Sequence, residues 1–175
     1  MEILRIISSY SKRLDISFVL IGGHAVNFYG LSRQTGDIDL LTDRAQKSKW
    51  ASLLSELKYN IFKDDTSFSR FKNERIDAWP IDIMYTDSDS FRKIFDASAI
   101  DNELRIVSRE HLVILKLHAL KQEQPHRYPK DYGDLLSLIR TSKGSLSKDL
   151  IESLCKKYSK VSIYDKLLED GAFTS

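Results

Sequence analysis

Asp37 and Asp39 stand one residue apart in the stretch FVLIGGHAVNFYGLSRQTGDIDLLT, residues 18–42. Within an extended strand, residues i and i+2 project from the same face, so the two carboxylates point together while Ile38 and Leu40 face the other way. A third acid repeats the pattern in PIDIMY, where Asp82 lies between Ile81 and Ile83. If the strand around 76–85 runs beside that around 36–42, three carboxylates meet on one side of a sheet. Like charges held close together are costly, so a cation is expected among them. Carboxylate oxygens suit hard divalent ions. Two such ions, about 3.5–4 Å apart, would activate an attacking oxygen and stabilise a leaving one in phosphoryl-type transfer. Gly22 and Gly23 precede the acids, and a Gly-Gly turn lets backbone N–H groups approach phosphate oxygens with no Cβ in the way.

The elements that must position these groups follow from the apolar pattern. Residues 1–14 have helical spacing, FVLI (18–21) reads as a short strand ended by the glycines, and HAVNFYG as a short helix closed by Gly30. DIDLLT (37–42) is a second strand, and a helix follows from about 44 to 58. FSRFKN and RIDAWPIDIMY read as two strands joined near Asn73-Glu74, with Pro80 marking an edge position or a break. DSFRKIFDAS is a short helix and LRIVS a short strand or connector. REHLVILKLHALKQ, KDYGDLLSLIRT and LSKDLIESLCKKY read as three helices. The expected fold class is α+β: a small mixed sheet flanked by helices over residues 1–108, then a helical segment over 109–175 packed on it.

Hydrophobic residues at 42% and charged residues at 30% exclude a disordered chain. No apolar run nears the roughly 20 residues that cross a bilayer. Residues 1–15 lack a signal peptide's apolar block, and the single cysteine, Cys155, forms no internal disulfide, which points to a cytoplasmic protein. Net charge is +2, but unevenly spread. Residues 1–90 carry 12 Lys and Arg against 13 acids, whereas 116–160 carry 10 against 5, a balance that suits either a polyanionic substrate or solvated helix faces. The histidines show no zinc spacing.

The ordered set GGHAVNFYGLSRQTGDIDLL, a later lone Asp82, Lys116 in HLVILKLHAL and Lys130-Asp131 with Asp134 in YPKDYGDLL resembles the nucleotidyltransferase superfamily, and within it the AbiEii-type bacterial branch. Many members of that branch are toxins of toxin–antitoxin pairs. The Arg33, Thr35, Asp37, Asp39 run matches its Arg-x-Thr-x-Asp-Ile-Asp signature, and the likeness covers residues 18 to about 140. It implies that Asp37, Asp39 and Asp82 are the catalytic and metal-binding acids, holding Mg2+ (two ions, with Mn2+ able to substitute). It further implies that Gly22 and Gly23 line a nucleoside triphosphate, with Arg33, Thr35, Lys116 and Asp131 as further nucleotide-binding residues. Gly23 stands where the wider superfamily often has serine, so any phosphate contact there falls to backbone N–H.

Plainer roles compete for several of these residues. Arg33 and Thr35 brace the turn before the strand, Arg33 by an ion pair with an aspartate; Lys116 snorkels from the helix edge; Asp131 caps a helix. The implied activity is transfer of a nucleoside monophosphate from a triphosphate to an acceptor hydroxyl on RNA, a tRNA end or a protein, with a cognate antitoxin or toxin as a further partner. Two alternatives from other classes stand beside it: a regulatory protein of the same fold that binds nucleotide or partner without turnover, and a metal-dependent phosphohydrolase or nuclease.

Overall fold

Strands with apolar side chains on one face and a few acids on the other lay down the part of the fold that carries the site. In the computed structural model, which describes residues 2–122 and 124–174, these are β1 (Phe18–Leu20), β2 (Ile38–Asp43), β3 (Tyr59–Asp64), β4 (Phe68–Asn73), β5 (Ile81–Thr86), β6 (Ala99–Asp101) and β7 (Leu104–Ile106). They form one mixed sheet in the order β3-β4-β5-β2-β1-β7-β6. Among the described residues there are eight α-helices: α1 (Glu2–Arg13), α2 (Gly22–Phe28), α3 (Lys47–Glu56), α4 (Ser88–Asp96), α5 (Arg109–Lys121), α6 (Tyr128–Arg140), α7 (Lys148–Tyr158) and α8 (Val161–Glu169). The class is α+β. The chain divides into two compact units, Met1–Ala25 with Arg33–Ser108, and Val26–Ser32 with Arg109–Ser175.

In the first unit β2 and β5 run parallel, with Ile38 opposite Ile81, Asp39 opposite Asp82 and Leu40 opposite Ile83. Ile38, Leu40, Ile81 and Ile83 are fully buried. Burying each contributes roughly 1.5–3 kcal/mol, and a one-residue slip would turn all four outward and drive the aspartates into the core. The apolar residues thus fix the register, and the register fixes the acids on one shared face. Strand β4 is antiparallel to β5 and sets Arg70 opposite Asp82. Trp50, Leu53 and Leu54 of α3 are buried in the same unit. The second unit is helical, with Leu112, Leu117, Leu135, Leu138, Ile151, Cys155 and Leu167 in its interior.

Several sequence expectations need correction. Pro80 does not mark an edge: β5 is interior to the sheet, and Pro80 sits just before it, where its missing N–H leaves the strand's ladder intact. Its carbonyl accepts from the Ile38 N–H at 2.9 Å. The segment 74–80 is connection rather than strand. Strands β3 and β6 and helix α8 were not expected; β3 exposes Ile61 and Phe62, and so shows no apolar alternation with a buried face. The helix expected over 44–58 is a 3-10 turn, Arg44–Gln46, followed by α3, because Asp43 accepts from the Ala45 N–H and tightens the entry. Gly22 and Gly23 begin α2 instead of preceding it. The expected start of α1 at Met1 lies outside the described residues.

Candidate active site

The carboxylates of Asp37, Asp39 and Asp82 offer oxygens that all lie within 4.8 Å of one another. Asp37 ends the loop before β2, Asp39 lies on β2, and Asp82 is its partner across the parallel pair. Asp82 is 5% exposed, whereas Asp37 and Asp39 are half-buried, so the cluster opens to solvent on one side. Its donors are all oxygen, the set that hard divalent cations take.

The glycines are explained by what lies against them. Gly22 has φ +63, a backbone that strains other residues, and a Cβ there would stand 1.9 Å from Asp39 Oδ2. A Cβ on Gly23 would lie 2.5 Å from Thr35 Oγ1. The start of α2 is therefore pressed onto the acidic cluster and its supports. Thr35 donates to Asp37 Oδ1 at 3.1 Å, which orients that carboxylate, and the Ile21 N–H donates to the Asp39 carbonyl at 2.9 Å. Arg33 donates through Nη1 to the Gln34 carbonyl at 3.2 Å, and Nη2 would lie 2.9 Å from a Cβ on Gly23.

A cation that the structure sets on the trio is Arg70, which sequence reasoning passed over. Nε and Nη2 donate to the two oxygens of Asp82 at 2.7 and 2.5 Å, a bidentate fork, and Nη2 lies 3.9 Å from Asp37 Oδ2. The hydrogen bond to Asp82 holds the guanidinium pKa above its usual value. A signal existed in FSRFKN: alternation puts Phe68, Arg70 and Lys72 on one face, and pairing with PIDIMY brings one of them opposite Asp82. His24, next to the glycines, stacks on Trp79 with ring centroids 5.3 Å apart, and its buried Nε2 has no hydrogen-bond partner among the described residues. Burial lowers its pKa, while Asp37 acts to raise it.

Lys116 and Asp131 belong to the second unit. Lys116 does not snorkel: it is 7% exposed, and Nζ lies 2.8 Å from Asp131 Oδ1 and 2.6 Å from Asp134 Oδ2, both carboxylates being buried. Asp131 lies inside the first turn of α6 and does not cap it. Lys130 of the same motif is exposed.

Solved structures of three other proteins share this fold. ANT(2'')-Ia in complex with adenylyl-2''-tobramycin superimposes with a TM-score of 0.69 at 14% identity, covering 90% of this chain and 98% of that one. JHP933 from Helicobacter pylori gives 0.62 at 23%, covering 97% and 76%. The lincosamide antibiotic adenylyltransferase LnuA, lincomycin-bound, gives 0.58 at 17%, covering 77% and 93%. At these identities the likeness establishes the fold. No curated protein sequence matches the chain. Residues 6–174 match the model of the family described as nucleotidyl transferase AbiEii toxin, Type IV TA system, and with its clustered acids and glycine-started helix in place the chain belongs to that family of nucleotidyltransferases.

Proposed function

We propose that this protein transfers a nucleoside monophosphate from a nucleoside triphosphate to an acceptor hydroxyl, with Mg2+ held by Asp37, Asp39 and Asp82 and Mn2+ able to substitute. The observation that carries this reading is the convergence of three carboxylates within 4.8 Å beside the start of α2. The residues fit the ion: the donors are oxygens alone, two of the acids remain open to solvent, and Gly22 keeps a Cβ out of the space beside Asp39. When bound, the ion supplies Lewis-acid polarisation of phosphate oxygens and neutralises charge that develops on them.

The chain's own groups do the rest. Thr35 holds Asp37 in orientation, and Asp82, the most buried of the three acids, is assigned to help activate the attacking hydroxyl. Gly22 and Gly23 admit the triphosphate close to the backbone, and Arg33 beside them is assigned to its phosphates. Lys116 and Asp131 are assigned to nucleotide binding, with Asp131 and Asp134 holding the ammonium in place. The acceptor is RNA, a tRNA end or a protein side chain, in keeping with the basic balance of residues 116–160. As a member of its family the chain is further proposed to act in the cytoplasm as the toxin of a toxin–antitoxin pair. No helix among the described residues is long and apolar enough to cross a membrane.

The test is label transfer. The protein is incubated with labelled triphosphates, Mg2+, total RNA and cell lysate, and pyrophosphate release is followed. Transfer to one acceptor class with pyrophosphate release is expected, and Asp37→Ala with Asp39→Ala should lower it at least about a thousandfold, the several kcal/mol that metal-borne charge stabilisation supplies. Transfer that survives the double substitution contradicts the assignment. A second reading, binding without turnover, is favoured by one feature: Arg70 already engages both oxygens of Asp82. Triphosphate binding in calorimetry with no product on any acceptor would establish it.

A further inference from the structure

The bidentate contact from Arg70 to Asp82 places a positive charge where the acidic trio needs one. Its two nitrogens lie 2.7 and 2.5 Å from the Asp82 oxygens, and Nη2 reaches to 3.9 Å from Asp37. The same carboxylates offer oxygens within 4.8 Å of one another. The contact is written into the backbone, since Arg70 is the direct cross-strand partner of Asp82 in the β4–β5 register. The two ends of the pair differ in environment. The Asp82 side chain is 7% exposed, whereas that of Arg70 is 37% exposed, so the guanidinium has solvent to move into and the carboxylate has not.

We propose that Arg70 is a built-in counter-cation that a divalent ion must displace from Asp82, so that Arg70 sets how tightly the trio takes metal. The inference rests on the reading of the trio as a metal centre. Coordination needs an oxygen lone pair at about 2.0–2.1 Å for Mg2+, and each Asp82 oxygen already gives one of its two lone pairs to the fork, so an ion that binds there without displacing Arg70 shares both oxygens with a guanidinium. A guanidinium and a divalent ion held on one carboxylate also repel each other. Exchange therefore carries a cost that removing the arginine abolishes. The exchange also has a use: with Arg70 in place, the metal-free trio is not left as three mutually repelling charges. A purely structural Arg70, tying β4 to β5 and staying put when metal binds, predicts the opposite result, because its loss would loosen Asp82 and weaken metal binding.

The experiment is calorimetric titration of MnCl2 into the full chain without nucleotide, for the wild type, Arg70→Met, Arg70→Gln and Arg70→Lys, with Asp37→Asn/Asp39→Asn as the control that assigns the site. Displacement predicts that Arg70→Met or Arg70→Gln binds Mn2+ about tenfold more tightly, the scale of one lost competing charge-assisted contact, while Arg70→Lys stays within about threefold of wild type because a cation remains. Two neutral variants guard against one that fails to fold. Wild-type binding that is lost in the asparagine control, together with neutral variants that bind no tighter or more weakly, overturns the displacement and leaves the metal centre standing. Absence of binding in the wild type and in every Arg70 variant overturns both.

Discussion

Gly22 shows how much one residue carries. Its φ of +63 would cost a residue with a Cβ about 1–2 kcal/mol, and the Cβ would stand 1.9 Å from Asp39 Oδ2. Gly22→Ala should therefore do two things at once: lower stability by at least that amount in chemical denaturation, and displace Asp39 enough to suppress metal binding and transfer. Gly30 provides the comparison. It too has a positive φ, of +95, but a Cβ there meets nothing within 4 Å, so Gly30→Ala should lower stability and leave Mn2+ affinity unchanged. Equal losses of metal affinity in both variants would show that backbone strain, not the clash with Asp39, sets the glycine requirement. Asp39 and Asp82 were legible at this scale because each stands between buried apolar neighbours on its strand, whereas Asp37, expected on the strand, ends the loop before it. Arg70 was not, because a lone arginine in FSRFKN gains meaning only once its cross-strand partner is known.

Between elements, α5 and α6 meet through a buried ionic cluster. Lys116 lies among Asp131 and Asp134, with Arg127 Nε 3.6 Å from Asp131 Oδ2 at the more exposed end. Removing the lysine leaves two buried carboxylates short of a counter-charge, so Lys116→Met should lower stability by about 3–5 kcal/mol, measured by urea denaturation. Adding Asp131→Asn and Asp134→Asn should recover much of that loss. A Lys116→Met protein as stable as wild type would mean that the aspartates are satisfied without it. Legibility at this scale followed burial. The residues of β2 and β5 announced themselves by apolar runs, and α5 by its leucines, whereas β3 carries Ile61, Phe62 and charged neighbours in the open and has no buried stripe to read. The 3-10 turn before α3 depends on the side chain of Asp43, a local choice that helical periodicity does not encode.

Over the whole molecule, sequence order and fold agree on where the three carboxylates lie. The apolar register of β2 and β5 puts Asp39 beside Asp82, the antiparallel β4 brings Arg70 across, and the glycine-started α2 closes on the carboxylates. On the proposed function, these three acids grip divalent ions for nucleotidyl transfer. This is tested most directly by crystals soaked with MnCl2 and a non-hydrolysable nucleoside triphosphate, with anomalous data collected at the manganese edge. A peak bounded by Asp37, Asp39 and Asp82 is expected, with the guanidinium of Arg70 moved off Asp82. A triphosphate bound with manganese elsewhere, or an empty trio with Arg70 still in place, would contradict it.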